Sequence, residues 1–392
     1  MRNINYSSNK AICCICLIMA LWPLGVHGAT LPPDPDNAAL LYYQAFLLLP
    51  EPDADTSASI DEVIRGGEPD EKVREYLNLP ECRETIEIAE DAAKIPQCNW
   101  GIQYSQGTWA PSQLLINFRL LSFLVYTDAG VLAADGDYRA ALGRCLTMRR
   151  IAGHVGDDEI LMYLVSLQLD GLAHSCAQDV LGSMPLDVDV LTWLRGQLVV
   201  VRDVIPSFIR ALEMNLELSV QSLQTHPDDI LWLREKLAGN ADDENTKDEI
   251  LGLTDEELIV LFRESYEDFL NTVFHVIDSE MTYKEKSLEI QRLVNIMHDK
   301  CAVYNTEQIA DYYNLKVRNE AQFNALKAAI EIYLIKAETG QLPEMLPDGL
   351  PKDPYSGQDF GYEITQDGFT FHSQGEDFQG RGAQLLEFKV KQ

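Results

Sequence analysis

The sequence predicts a mainly α protein: a multi-helix domain of helical hairpins, locally tetratricopeptide-like, followed by a small C-terminal α/β module with a β-hairpin. Apolar residues recur every three or four positions over most of the chain up to Thr339. After Gly340 the period changes to two and prolines become frequent. Composition sets the limits. With 46% apolar and 24% charged residues, the chain is ample for packed cores and too apolar for disorder.

Residues 1–10 carry Arg2 and Lys10 and no acid, and an apolar run from Ala11 to Val26 follows. This is the pattern of an export signal, with Val26 and Gly28 small enough for a peptidase site, so cleavage is expected after Gly28, with Ala29 as the near alternative. The run is interrupted by Pro23 and is shorter than the roughly 20 residues that cross a bilayer. No later stretch reads as a span, because even residues 191–209 are broken by Arg195, Arg202, Asp203 and Pro206. The mature chain is therefore expected in the periplasm or another extracytoplasmic space, without a transmembrane segment. Lys and Arg total 31 against 62 Asp and Glu, a net charge of −31 that repels phosphates and excludes nucleic acid as a natural partner.

Asp36 or Asn37 can cap a short helix over AALLYYQAFLLL that Pro50 ends. Residues 51–67, acidic and rich in small side chains, read as a surface connection. Helices are expected over 71–79 and 81–95, then a loop, CNWGIQYSQGTWAP, over 98–111. Residues 112–181 read as two or three amphipathic helices with breaks at Asp135-Gly136-Asp137 and at 153–157. A run from Asp187 bends at Pro206 and continues to about Thr225. Residues 226–255, which contain GNADDENTKDE, read as an exposed connection. Helices over 255–280, 283–302 and 306–339 complete the α-helical part. Ala129, Leu132, Gly136, Asp137, Tyr138, Ala141 and Leu142 match the packing positions of one tetratricopeptide unit, but an array needs about three.

Removing the signal would take Cys13, Cys14 and Cys16 and leave Cys82, Cys98, Cys145, Cys176 and Cys301, an odd number. Cys82 to Cys98 is the expected bridge, because Pro80 and Pro96 place both at element ends and an oxidising compartment permits it. Cys145 and Cys176 fall within apolar helices and read as buried small hydrophobes. Among the five that remain, no CxxC pair supports zinc or redox chemistry.

The tail is the most distinctive region. Pro343, Pro347, Pro351 and Pro354 forbid helix, and Phe360, Tyr362 and Ile364 alternate with polar residues before an Asp367-Gly368 turn leads to Phe369 and Phe371. Taken with Tyr333, Gly340, Leu342-Pro343, Leu350-Pro351, Asp353-Pro354, Tyr355, Gly357, Ser373, Gly375 and Asp377, the last 70 residues or so resemble the globular end of the major pseudopilin of type II secretion systems. With the signal and helical stretch read above, the chain divides into a signal (1–28), a helical domain (29–302) and a long helix with the module that the resemblance marks as pseudopilin-like (303–392). The resemblance also implies a calcium site at Glu376 and Asp377, although Gly380 and Arg381 stand where further acids are needed, so calcium and a metal-free turn both remain open. The basic leader and glutamate-bearing polymerisation helix of true pseudopilins are not seen. Asn37 to Tyr42, Cys98 to Gly101, Gly136 to Tyr138 and the same tail are similar to exported bacterial helical proteins with no assigned activity.

Catalytic signatures are sparse: no HExxH, GxSxG, Walker or dinucleotide motif occurs. His298 and Cys301 lie a turn apart in an apolar context that favours packing. His154 with Asp157, Asp158 and Glu159 gathers ligand-type groups, yet acids at a helix start are ordinary caps. Trp100, Tyr104 and Trp109, interleaved with amides, form the candidate binding surface: they either stack on a sugar or peptide or plug a gap between helix ends. The sequence therefore points to an exported, non-enzymatic binding or scaffold protein whose partner is another envelope protein, such as a secretion-system component. The alternative is a hydrolase or polysaccharide-binding protein with its site near the 100–109 loop.

Overall fold

A computed structural model describes residues 35–104, 112–156, 159–201, 203–241, 243–300, 308–376 and 385–390, without the side chains of Ser112, 298–300 and Leu385. The expected signal (1–28), Trp109, Asp157, Asp158, the His298 side chain, Cys301 and Asp377 lie outside the described residues. The fourteen helices and three strands among the described residues all belong to the compact unit Asn37–Gln392. The fold is mainly helical with a small antiparallel sheet near the C-terminus.

The helices are α1 (Ala38–Leu48), α2 (Ala54–Ile64), α3 (Glu71–Leu77), α4 (Pro80–Lys94), α5 (Ser112–Ala134), α6 (Tyr138–Val155) and α7 (Ile160–Ser183). They continue with α8 (Val188–Val200), α9 (Phe208–Thr225), α10 (Pro227–Gly239), α11 (Glu244–Gly252), α12 (Asp255–Asp278), α13 (Tyr283–Lys300) and α14 (Ile309–Thr339). Short polar residues start many of them: Asn37, Asp53, Asp70, Asp137, Asp187, Ser207, Asp243 and Thr254 each accept a hydrogen bond from a backbone N–H of the following first turn. Thr254 and Glu257 do so reciprocally, as a capping box.

Two main cores result. One gathers α1, α4, α5, α6, α7, α8, the second half of α14 and the sheet. The other gathers α9, α10, α12, α13 and the first half of α14 around Tyr163, Leu167 and Tyr266. At roughly 1.5 Å per residue, the 31 residues of α14 are long enough to serve both cores. A satellite cluster of Ile60, Val63, Val73, Leu77 and Ile86 packs α2, α3 and α4 against Leu124 and Val131. The tetratricopeptide-like positions meet at the α5–α6 turn, where Ala129, Ala141 and Leu142 are buried and Gly136 holds a φ of +85°.

Strands β1 (Gly361–Ile364), β2 (Gly368–His372) and β3 (Leu385–Lys389) form one sheet in the order β1-β2-β3. Opposed pairs Tyr362 and Phe371, Phe371 and Leu386, and Phe369 and Phe388 set the register. Phe369, Phe371 and Phe388 are buried in the same core as the α14 residues Ile330 and Tyr333. The tail thus shares an apolar interior with the helices that precede it.

Several expectations are corrected. Residues 51–67 contain α2, whose stripe of Thr56, Ile60 and Val63 is buried. Residues 226–255 contain α10 and α11, with Ile230, Leu233 and Leu237 buried at helical spacing. Pro206 marks a complete break, not a bend: α8 ends at Val200 and α9 begins at Phe208. The hairpin gains a third strand. Cys82 and Cys98 form no disulfide. Twelve residues of straight helix separate Cys82 from Lys94, about 18 Å, whereas bridged cysteines need Cα atoms within about 7 Å. Finally, residues 113–134 and 160–183, in α5 and α7, are long and apolar enough to cross a membrane by length and composition. Most of that apolar surface is buried inside this fold, which accounts for its composition.

Candidate functional site

Asn37 ties the start of α1 to the loop that follows α4. Its side chain accepts from the backbone N–H of Ala39 (3.2 Å) and of Asn99 (2.8 Å) and donates to the Asn99 carbonyl (2.9 Å). Ala38 N–H adds a bond to the Gln97 carbonyl at 2.8 Å. The NAALLY start and the CNWG loop, distant in sequence, are therefore one structural unit.

That clamp delivers Trp100 into the core, where it is only 3% exposed. Its indole N–H donates to the His154 carbonyl at 2.7 Å, and its own carbonyl accepts from the Tyr43 hydroxyl at 2.8 Å. The ring meets Phe118 edge-on at 4.6 Å, with Tyr42 at 5.4 Å and Tyr43 at 5.9 Å. No face is left for a sugar, so Trp100 fills the gap between helix ends. Tyr104 is half-buried nearby in the chain.

Beside this plug lies a cleft of about 520 Å³, between the end of α4, the last turns of α6 and the 200–206 connection. Cys98, Arg150, His154, Asp203 and Lys94 line it. The connection approaches closely because α6 has Gly153 there: a Cβ at that position would sit 2.5 Å from the Val204 carbonyl oxygen. His154 Nδ1 lies 3.0 Å from the Tyr42 hydroxyl. Burial pushes the imidazole down to about 4, the Arg150 charge adds to that, and a hydrogen bond to the Ile95 backbone opposes it. The ring is neutral at pH 7. A ring N–H donates to the Ile95 carbonyl, leaving Nδ1 to accept from Tyr42. Burial, with the nearby Cys98 charge, raises the Tyr42 hydroxyl well above its ordinary value, so it remains a donor. Arg150 forms no hydrogen bond or ion pair among the described residues, and burial lowers its pKa. In a strongly acidic chain, an unpaired guanidinium in a concavity is a fit for a carboxylate or other anionic group. The sequence held two signals of this site, the Cys98 to Gly101 motif and His154, which stood out there only as part of a ligand-type cluster with the acids that follow it. Arg150 and Asp203 sit in ordinary helical and loop contexts and gave none.

The other predicted positions fall elsewhere. Glu159, expected as a cap, is buried at the start of α7 and makes no capping bond. Glu376 is exposed, and its carboxylate accepts from Lys284 at 2.9 Å. The acid that organises the tail is Asp353, fully buried and not singled out as a site. Its carboxylate accepts from the Tyr355 and Gln374 backbone N–H groups and from the hydroxyls of Ser356 (2.6 Å) and Ser373 (2.9 Å). No group of three or more His, Cys, Asp or Glu able to hold a metal occurs among the described residues.

The two edges of the sheet differ. At β3, Gln178 of α7 donates to the Glu387 carbonyl and Tyr333 of α14 to the Lys389 carbonyl. At β1, no strand pairs with the outer edge among the described residues. Ile364, opposite Phe369 and so on the inner face of the sheet, is 51% exposed, and Met345 of the preceding loop is 80% exposed. In comparisons with known proteins, the chain matches no family model, no curated sequence and no solved structure.

Proposed function

We propose that the chain is an exported, non-enzymatic binding or scaffold protein of the cell envelope that docks to another envelope protein, a secretion-system component being one such partner, through its pseudopilin-like tail. The asymmetry of the sheet carries this reading. The β3 edge is occupied by the chain's own helices, whereas the outer edge of β1 has no paired strand among the described residues and lies beside an uncovered apolar side chain on the core face. Such an edge accepts an extended segment of a partner by strand addition, with main-chain bonds supplying affinity and Ile364 a pocket wall.

Deleting the tail is a poor test, since it would strip Tyr333 and Ile330 of their cover. Crosslinked affinity capture from native envelopes should instead compare the full chain with an Ile364→Glu, Met345→Glu double variant of equal helicity. The reading expects a defined envelope protein on the full chain and at least tenfold less on the variant. Equal recovery on both, or none on either, contradicts it.

The cleft favours a second reading: a small-ligand or polysaccharide-binding function, or a hydrolase, in which Arg150 holds an anionic group beside His154. Trp100 would then support the site from behind, through its bond to the His154 carbonyl, and not serve as a stacking platform.

A further inference from the structure

The described cysteines contain one close pair. Cys145 on α6 and Cys176 on α7 face each other with their sulfurs 2.9 Å apart, in the core where α6 packs on α7. Both are almost completely buried, at 4% and 2% exposure. We infer that Cys145 and Cys176 form a disulfide when the chain folds in the presence of a disulfide-bearing oxidant, and that this bond is the covalent staple of the α6–α7 hairpin.

The geometry favours this pair over Cys82 and Cys98, because two packed helices bring the side chains together laterally, whereas one helix holds its ends apart. The reaction is an ordinary exchange. The Cys145 or Cys176 thiolate attacks one sulfur of the oxidant, releasing one thiolate and forming a mixed disulfide. The second cysteine then displaces the remaining half. Two protein thiols are oxidised, the oxidant's disulfide is reduced to two thiols, and the cysteine protons end on those leaving groups. Exchange must precede closure of the hairpin. Once packed, neither sulfur is reachable, and burial with the neighbouring Cys145 keeps Cys176 protonated. The same burial protects the bond from later reduction. The inference does not depend on the proposed partner, and it requires only that folding take place where such an oxidant is present.

The test is oxidative refolding of the full chain in oxidised and reduced glutathione, followed by alkylation in denaturant, digestion and mass spectrometry. The expected result is a crosslinked peptide joining Cys145 to Cys176, two hydrogens lighter than the sum of its parts, with Cys82 and Cys98 alkylated. Dithiothreitol added before unfolding should leave the native helicity unchanged. In denaturant it should raise the unfolding constant about five-hundredfold, as expected for opening a loop closed by residues 31 apart. A Cys145→Ala variant should unfold like the reduced wild type and become insensitive to dithiothreitol. Recovery of both cysteines alkylated after oxidative refolding, or either joined to a different cysteine, overturns the inference. The wild-type mapping stands whether or not the variant folds.

Discussion

His174 on α7 is stacked on Phe323 with ring centres 5.6 Å apart, and its Nε2 lies 3.0 Å from Arg149 Nη1. Arg149 itself is committed on every side. It donates to both oxygens of Asp170 at 2.6 Å and to the Val201 carbonyl at 3.0 Å, and its guanidinium lies 3.8 Å over the Phe323 ring. An imidazole accepting from Arg149 through Nε2 must carry its proton on Nδ1, a buried atom with no hydrogen-bond partner. Burial above all, and then the Arg149 charge, push its pKa down to about 4 against the pull of Asp170. The unfolded imidazole binds a proton near pH 6.5, so the folded state binds fewer protons between these values and loses stability as pH falls through that window. Denaturant unfolding should show full stability above about pH 7 and a loss of about 3 kcal/mol by pH 4 from this group alone. A His174→Gln variant should show a flatter profile, and an identical slope in both proteins would contradict the assignment. The spacing of Arg149, Asp170 and His174 is unremarkable in sequence, because the cluster is assembled from α6, α7 and α14 with the Val201 carbonyl at the end of α8.

At the scale of elements, legibility followed the length of the apolar stripe. Helices such as α5, α7, α12 and α14, which bury residues over many turns, were plain from periodicity, and so was the α5–α6 turn at Gly136. Two of the three helices that were missed, α2 and α11, share one trait, whereas α10 carries Ile230, Leu233 and Leu237 at helical spacing inside a stretch whose acidic composition masked them. In α2 the buried set is Thr56, Ile60 and Val63, and α11 buries no residue, so acidic and small residues dominate their composition while caps at Asp53 and Asp243 hold them. Likewise β3 has only the short run LLEFK, separated from β2 by residues 373–384, too long a connection for a tight hairpin signal; its place is set by Phe388 stacking on Phe369 at 5.4 Å. Of the candidate site, the Cys98 to Gly101 loop was visible and the cleft was not, because Arg150, His154 and Asp203 come together only when α6 and the 200–206 connection pack. Asp353 is the element-scale counterpart of a cap: one carboxylate fixes the 353–357 turn against Ser373 and Gln374 beyond β2. Replacing it with Ala leaves several donors unsatisfied in a buried site, at a cost of about 3 kcal/mol. Thermal unfolding should show the loss, and amide exchange should place the loosening first in β1 and β2. A change under about 0.5 kcal/mol would show that the turn holds without it.

For the whole molecule, α14 is the organising feature. Its first half packs Tyr313 and Val317 into one core and its second half packs Ile330 and Tyr333 into the other, so helices and sheet are held by the same rod. This gives the β1 edge a rigid base, which a docking strand requires if its affinity is not to be spent on ordering the receptor. The net charge of −31 would favour a basic partner segment and make association salt-dependent. The most direct test of this account is hydrogen–deuterium exchange on the full chain with and without the envelope protein proposed to dock on it. Docking through the sheet edge predicts new protection at Gly361–Ile364 and little change in the helices. Protection confined to the cleft walls around Lys94, Arg150 and His154, with β1 unchanged, would contradict it and transfer function to the cleft.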